Sequence, residues 1–455
     1  TGGKNAFFGN SAGQNNTTGE DNTALGSLAL KSNVSGSNNT AIGREALENN
    51  TASNNTAVGY NSLLTNTSGT SNTALGFRAL KDNTTANSNT AIGNDALQDN
   101  TTGTQNTAVG VVSLDANTTG SSNVAVGYGS LNKNTTASFN TALGYQSLYS
   151  NVTGTRNVAV GYNTLSLSTA NDNTAIGHDA LDVTTTGANN TAVGSSSLGS
   201  NTTGASNVAV GRDALTANTT GTQNVAIGNG ALSSSVSTNS STCVGFEAGK
   251  VSTEGSCTAF GWKALVNNTS ATLNAGFGRD ALGSATTGGN NSGIGFACGY
   301  SVTSGTNNSF LGADSGRASS PFEVSTQSNR IVLGNNSITN AYIKVAWTVT
   351  SDARDKTNIG TVPHSLDFVN QLNPVSFQFK TSRENDTPSG NIRYGFLAQD
   401  ILELEGDNNV IIDNEQPDKL KYQGESLVPV LVNAIKELSA KVDTLQEEVN
   451  TLKGA

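Results

Sequence analysis

A glycine recurs nineteen times between Gly9 and Gly312, at intervals of seventeen residues except for three intervals of sixteen. The unit around it reads Asn-Thr-Ala-Val-Gly, two variable residues, Ala/Ser-Leu and a polar Asn-Thr-Thr-Gly stretch. A fixed short period predicts a solenoid, in which each unit buries its apolar side chains only against its neighbours. The repeat therefore overrides the usual expectation of about three globular domains for a chain of 455 residues.

Within one unit, apolar and small residues alternate as they do in a β-strand. The alternation predicts that Val208 and Val210 share one face, that Gly211 allows a tight bend, and that Leu215 is the next apolar anchor. Seventeen residues leave room for two short strands and two turns. The polar Asn-Thr-Thr-Gly stretch is typical of turns. Coils stacked about 4.8 Å apart would make a rod of roughly 90 Å.

The fold class predicted from these patterns is mainly β, a parallel β-roll or β-solenoid of about nineteen repeats. All six prolines follow Ser320, which fits one continuous sheet before that residue. One coil contributes only an aliphatic residue, a leucine and some Ala or Thr to its interior. We therefore expect oligomerisation, in which other faces of the rod are buried against sister chains.

Composition excludes several classes of function. The net charge is −10 and the basic residues are scattered, so we expect no nucleic-acid partner. No apolar run reaches the length of a membrane span. The chain begins at Thr1 and contains no Met, so we expect its natural N-terminus, with any targeting or anchoring segment, to lie outside this sequence.

Cysteines and histidines give no metal or catalytic pattern. Cys243, Cys257 and Cys298 occupy different positions of their units, so we expect free thiols, with a disulfide between Cys243 and Cys257 left open. His178 and His364 have no evident Ser and Asp partners for a catalytic triad. No metal site and no cofactor are predicted.

The residue after the repeat glycine is often aromatic. Tyr128, Tyr145 and Tyr162 fall on consecutive coils and should stack into a ladder along the rod. Two interpretations remain open for this ladder: a platform that binds sugar rings of a ligand, or packing between chains and along the sheet. The same position is aromatic in other units, at Tyr60, Phe77, Phe246, Trp262 and Phe296.

Residues 1–316 form the predicted rod, and residues 317–350 break its period. Two stretches of this second segment, 330–334 and 341–347, have strand patterns and suggest a β neck. The last hundred residues are richer in charge and predict a smaller α+β domain over 351–455. It contains a short helix at 366–372 that ends before Pro374, and a strand at 375–379.

A heptad pattern covers residues 427–453. Its apolar positions follow one another at alternating steps of three and four residues, which indicates a helix that associates as a coiled coil rather than a lone surface helix. These positions are Val428, Leu431, Ile435, Leu438, Val442, Leu445, Val449 and Leu452.

The repeat resembles the left-handed parallel β-roll of trimeric autotransporter adhesin heads, and similar Asn-Thr-Ala-x-Gly repeats occur in phage tail fibres. The adhesin unit is shorter than the unit found here. The resemblance spans residues 1 to about 316 and implies a trimeric rod.

The segment Ser351-Asp352-Ala353-Arg354-Asp355-Lys356-Thr357-Asn358-Ile359 resembles the start of the endosialidase-type intramolecular chaperone. This is a self-cleaving C-terminal domain of phage tail fibres and tailspikes. Three later stretches fit the same family in the same order: 372–377, 394–400 and the terminal helix after Tyr422. The resemblance covers 351–455 and implies a homotrimer, although Val or Ile at heptad position a with Leu at d favours two-stranded coiled coils in isolation.

The resemblance assigns a catalytic dyad to Ser351 and Lys356 and a cleavage site between Thr350 and Ser351. A serine hydroxyl needs a base, and a lysine can be that base only if burial or nearby charge keeps it partly neutral. The implied activity is at most that of a single-turnover intramolecular serine peptidase with no external substrate. The alternative is that Ser351, Asp352 and Lys356 only cap a helix or pair on the surface.

The function predicted from these features is that of a trimeric attachment fibre of a virion, such as a phage tail or head fibre. Its expected partners are sister chains, a host glycan or protein receptor, and other virion tail or capsid proteins reached through an N-terminal segment. The expected location is the virion or the extracellular space. A bacterial surface adhesin with the same rod remains an alternative. A polysaccharide-degrading tailspike is favoured less, because no pair of carboxylates can be distinguished from the acidic residues that occur throughout the repeats.

Overall fold

The computed structural model describes residues 3–253, 256–345, 349–407 and 409–454. The chain divides into two compact units. The rod unit comprises Thr1–Arg317 and Val324–Leu333, and the C-terminal unit comprises Ala318–Glu323 and Gly334–Ala455.

The rod unit contains one parallel sheet of twenty strands, which confirms the predicted β-solenoid. Each strand has three residues and pairs in register with the strand of the next coil, as in Ala209 opposite Ala226. The strands are β1 Ala6–Phe8, β2 Thr23–Leu25, β3 Thr40–Ile42, β4 Thr56–Val58, β5 Thr73–Leu75, β6 Thr90–Ile92, β7 Thr107–Val109, β8 Val124–Val126, β9 Thr141–Leu143, β10 Val158–Val160, β11 Thr174–Ile176, β12 Thr191–Val193, β13 Val208–Val210, β14 Val225–Ile227, β15 Thr242–Val244, β16 Thr258–Phe260, β17 Ala275–Phe277, β18 Ser292–Ile294, β19 Ser309–Leu311 and β20 Ile331–Leu333.

From β2 to β18, the face of each strand that points into the rod carries one small residue, Ala, Cys or Gly. In β13, Ala209 is fully buried, whereas Val208 and Val210 are only half-buried on the opposite face. Val208 and Val210 share one face as expected, but it is the outer face. The expectation that each coil contributes an aliphatic residue of the strand to the interior is wrong here, because a three-residue strand turns its middle side chain inwards and its two end side chains outwards.

Each coil has one strand, not the two that were expected. After Gly211 the chain bends through residues with positive φ, including Asp213 at 57° and Leu215 at 51°. The Leu215 side chain is fully buried, and its backbone N–H donates to Ala231 O of the next coil at 3.0 Å. A second ladder of backbone hydrogen bonds thus runs along the rod without strand geometry.

Glycine is required at the bend itself. Gly211 has a φ of 128°, and a Cβ atom there would lie 2.7 Å from the carbonyl carbon of Gly228 on the next coil. Both the backbone conformation and the close stacking of coils exclude a side chain.

Buried asparagines complete the interior of the rod. The Asn207 side chain donates to Gly221 O at 2.8 Å and accepts from the backbone N–H of Asn224 at 3.0 Å. A parallel ladder joins Asn218 Nδ2 to Asn201 Oδ1 at 2.8 Å. These side chains satisfy backbone groups as expected, but they do so inside the rod, where water cannot.

The three cysteines are free and buried. Cys243 occupies the position of the inward alanine in β15, and its Sγ lies 3.6 Å from Sγ of Cys257. The disulfide that the sequence left open is therefore not formed.

The predicted β neck is formed only in its first part. β20 pairs with β19 and extends the rod sheet. Residues 341–345 have no strand geometry, so the second neck strand is wrong over this range. Ala346 and Trp347, the rest of that predicted strand, lie outside the described residues.

The C-terminal unit is a small α+β structure, and the predicted short helix, strand and long terminal helix are confirmed. Two antiparallel pairs join β21 to β22 and β23 to β24. Its elements are a 3-10 turn at Ala353–Asp355, α1 Leu366–Gln371, β21 Val375–Ser382, β22 Asn385–Gly395, α2 Ala398–Glu405, β23 Ile412–Asp413, a 3-10 turn at Pro417–Lys419, β24 Lys421–Tyr422 and α3 Gly424–Gly454.

The core of the C-terminal unit is small. Its buried cluster comprises Phe368, Ile401, Ile411, Ile412, Leu427 and Val430. The Glu405 carboxylate, itself buried, accepts hydrogen bonds from the backbone N–H groups of Val410, Ile411 and Ile412 at 2.7–2.9 Å. Across the described part of the chain, none of the helices is long and apolar enough to cross a membrane.

Candidate functional site

The candidate catalytic pair is brought together at the start of the C-terminal region. Lys356 Nζ donates a hydrogen bond of 2.8 Å to Ser351 Oγ. This distance is within the reach expected between a nucleophile and its base. The structure therefore juxtaposes the two residues that the sequence resemblance singled out.

A single 3-10 turn produces this arrangement. Ala353–Asp355 form the turn, Asp352 and Lys356 flank it in extended conformations, and the Asp352 carboxylate accepts from the backbone N–H of Arg354 at 2.9 Å. Helix capping, the alternative role of the motif, is thus performed by the side chain of Asp352. The Ser351 side chain bonds to Lys356 instead.

Two charged residues between Ser351 and Lys356 in the sequence pair with each other. Arg354 forms an ion pair with Asp352, with Nη2 and Oδ2 2.5 Å apart. The hydrogen bond from Arg354 lowers the pKa of the Asp352 carboxyl below its usual value. The Asp352 carboxylate is therefore ionised near neutral pH. It is engaged in the ion pair with Arg354, so it is not placed to act as the base for Ser351.

Thr350, Ser351 and Lys356 are all exposed in the single protomer. The burial that was expected for Lys356 is therefore not present in the single protomer. A second chain or a rearrangement must supply any desolvation that the chemistry requires.

The tyrosine ladder has the predicted stacking. The ring centroids of Tyr128 and Tyr145 are 5.4 Å apart, and those of Tyr145 and Tyr162 are 5.0 Å apart. His178 continues the stack at 5.1 Å from Tyr162, a member that the sequence interpretation left out. Inner ring faces contact one another, so a ligand would meet the exposed edges and hydroxyl groups of the tyrosines.

Sequence reasoning missed an apolar stripe on the outside of the rod. The third residue of every one of the twenty strands is apolar, and many are well exposed, such as Leu75 at 46%, Ile294 at 54% and Leu311 at 53%. The alternation of the strands contained this signal, but the inward and outward faces were exchanged.

In the described residues, no group of three or more His, Cys, Asp or Glu side chains is arranged to hold a metal ion.

Comparison with known families supports the interpretation of the C-terminal region. Residues 351–410 match the family described as chaperone of endosialidase, and the match begins at Ser351 and includes Lys356. No curated protein matches the chain. The chain therefore carries a chaperone-of-endosialidase domain after a parallel β-solenoid rod. This combination fits a role in the assembly of a trimeric phage fibre or tailspike.

Proposed function

We propose that this chain is the shaft and assembly domain of a homotrimeric virion fibre that attaches to a host cell. The observation that carries the proposal is the incomplete burial of the C-terminal unit. Beside its six-residue core, large apolar side chains remain exposed, with Ile392 at 69%, Tyr394 at 89% and Ile359 at 77%. Exposed apolar surface on this scale is typical of an interaction surface.

The terminal helix α3 supports self-association. Its heptad residues lie on one exposed seam, with Ile435 at 66%, Val442 at 55% and Leu445 at 58% exposure. A seam of this kind is stabilised when it packs against the same seam of another chain. The outer stripe of the rod offers a second long apolar surface for the same partners, parallel to the sheet.

We assign three functional segments to the chain: a shaft at 1–316, a neck at 317–350 and a chaperone domain at 351–455, with the associating helix at 427–453. Trimerisation of the chaperone domain would hold the three shaft segments in register before the coils of each shaft fold and stack. Non-local pairing of β structure folds slowly. A trimer already formed at the C-terminal end would therefore reduce the number of alternative pairings that each shaft can sample while it folds.

Cleavage between Thr350 and Ser351 would follow assembly. Neutral Lys356 accepts the hydroxyl proton of Ser351, and Oγ adds to the carbonyl carbon of Thr350. The C–N bond then breaks, Lys356 returns the proton to the new amine of Ser351, and an ester joins Thr350 to Ser351 Oγ. Water hydrolyses this ester and releases the chaperone domain.

The exposure of the pair in the protomer explains why cleavage would wait for assembly. A lysine becomes an effective base only after its ammonium is desolvated, and Val349 and Ile359, which lie close to the pair in the sequence, are 67% and 77% exposed in one chain. Removal of the domain would leave the shaft unable to refold by the same route, and therefore kinetically trapped.

Denaturing electrophoresis with mass spectrometry tests the cleavage. Wild-type protein should release a fragment of about 105 residues (351 to 455), whereas Ser351→Ala and Lys356→Ala should remain whole. Ser337→Ala and Lys344→Ala, which change exposed residues of the neck, are matched controls and should cleave normally. Cleavage that persists in Ser351→Ala would refute the mechanism. Light scattering of the uncleaved variants should give a trimer, and a stable monomer or dimer would contradict the assembly role.

The tyrosine ladder is the proposed contact for a host receptor. Tyr128, Tyr145 and Tyr162 are 50%, 42% and 47% exposed, so their simultaneous replacement by Ala should leave the rod folded. Weaker binding to host cells by this variant, with an unchanged circular dichroism spectrum, is the expected result. Unchanged binding would leave packing between chains as the role of the ladder.

A further inference from the structure

A cleft of about 390 Å³ lies on the rod beyond the tyrosine ladder. Trp262, Arg279 and Phe296 line it from three consecutive coils, each at the residue that follows the repeat glycine. The rest of the lining consists of Lys263, Asp280, Ala297, Tyr300 and Arg317. Its volume lies in the range of small-ligand sites, roughly 300–1,000 Å³.

The cleft differs from the tyrosine ladder in the residue between its aromatic rings. The guanidinium carbon of Arg279 is 4.7 Å from the ring centroid of Trp262 and 5.7 Å from that of Phe296. Arg279 therefore interrupts the stack and lies between two aromatic rings. Trp262 also stacks on Phe246 of the preceding coil, at a centroid distance of 6.1 Å. Phe296 is 47% exposed and is followed on the next coil by the small Ala313, so Phe296 is the ring that presents surface to a ligand.

Three basic side chains meet at this cleft. Lys263, Arg279 and Arg317 are three of the twelve basic residues up to position 317, in a chain of net charge −10, and the acidic Asp280 also lines the cleft. Charges more than about 8 Å from a surface site are largely screened at physiological salt. The cations of the cleft and the carboxylates beside them, rather than the net charge of the chain, therefore decide which ligands the cleft attracts.

Each of these three cations forms an ion pair with a carboxylate of the rod. Arg279 pairs with Asp280 at 3.3 Å, Arg317 with Asp314 at 2.6 Å, and Lys263 with Glu247 at 3.6 Å. Exposed pairs of this kind contribute only about 0–1 kcal/mol. A guanidinium has five N–H donors, so Arg279 can keep Asp280 and still donate to a ligand carboxylate.

We propose that this cleft binds an acidic saccharide. A pyranose ring packs on Phe296, and its carboxylate accepts hydrogen bonds from Arg279 with Arg317 or Lys263 nearby. The inference rests on the proposed attachment function and names the ligand class and a second contact site for it.

Isothermal titration calorimetry on the full-length Ser351→Ala trimer tests the site. The probe is a hexuronate tetrasaccharide, and its carboxyl methyl ester is the neutral counterpart. Binding of the acid should be at least about tenfold tighter than binding of the ester, because the ester removes the charge-assisted hydrogen bonds. Raising the salt concentration should weaken binding of the acid more than binding of the ester.

Variants locate the binding. Phe296→Ala and Arg279→Ala should each lower affinity for the acid by about tenfold or more. Arg212→Ala is the matched control, because Arg212 also follows a repeat glycine and pairs with the next residue, Asp213, at 3.2 Å, but lies outside the cleft. The Arg212→Ala variant should bind the acid as tightly as the parent trimer does.

Three results would overturn the inference: no binding of the acid at millimolar concentration, equal binding of acid and ester, or equal losses in Arg279→Ala and Arg212→Ala. The attachment function has a separate readout. If the parent trimer binds host cells and Arg279→Ala binds them equally well, attachment stands and the cleft is not its site.

Discussion

Replacement of Asn207 by Ala is a sharp test of how the rod is stabilised. Asn207 is fully buried, donates to Gly221 O at 2.8 Å and accepts from the backbone N–H of Asn224 at 3.0 Å. The change leaves both backbone groups without these partners in the interior. Each buried unsatisfied group costs about 1–3 kcal/mol, so the local free energy of opening should fall by about 2–6 kcal/mol.

Hydrogen–deuterium exchange of the full-length protein measures this quantity locally. For amides that exchange through local opening, a loss of 2–6 kcal/mol corresponds to exchange about 30-fold to 10⁴-fold faster. A peptide that contains Asn224 should show the acceleration, and peptides several coils away should not, because each coil contacts only its neighbours.

Asn239→Ala is the matched control. Asn239 also accepts a backbone N–H, from Thr222 at 2.8 Å, but it is exposed, so water replaces it. Exchange near Thr222 should change by less than about fivefold. If Asn207→Ala behaves like this control, buried asparagines do not hold the coils together and the reasoning is refuted.

Three further changes have defined outcomes. Glu405→Gln replaces an acceptor oxygen by an amide that cannot accept from the backbone, so the C-terminal unit should lose about 1–3 kcal/mol, measured as faster exchange of the 410–412 amides; an unchanged rate would contradict this role. The pKa of Glu437 is lowered to about 2, chiefly by the Ser365 hydroxyl. Because the folded pKa lies below the ordinary 4.5, the stabilisation is complete above pH 4.5 and disappears as the pH falls towards 2. The melting temperatures of wild type and Glu437→Gln should therefore converge over this range, and a constant difference would count against it. Gly211→Ala should disrupt the rod locally, seen as new proteolytic cleavage near the bend, since Cβ would meet the next coil at 2.7 Å; wild-type resistance would show that the coils can shift.

Much of the fold follows from patterns that need no tertiary information. The glycine period gave nineteen of the twenty strands their coils, and the Thr-Ala-Val-like triplets gave the positions of those strands. The heptad gave the terminal helix. These features are local or strictly periodic, so the chain displays them directly.

The errors share one physical origin. A period of two does not say which face is inside, and the narrow coil turns Ala209 inwards and the larger Val208 and Val210 outwards. Likewise, a buried leucine at a φ of 51° is not a conformation that residue preferences predict. It is imposed by the stacking of coils, which lets Leu215 fill the interior while its N–H bonds to Ala231.

The candidate site shows where prediction from one chain ends. The family resemblance singled out Ser351 and Lys356, and a single 3-10 turn brings their side chains within hydrogen-bond distance. The environment of Lys356 was not predictable in the same way, since it depends on what covers the exposed face of the protomer. The same holds for Leu311 on the rod and Ile435 on α3, which are exposed in one chain. If partner chains cover these three positions together, shaft closure, helix pairing and activation of the lysine become parts of one assembly step, and cleavage reports that this step is complete.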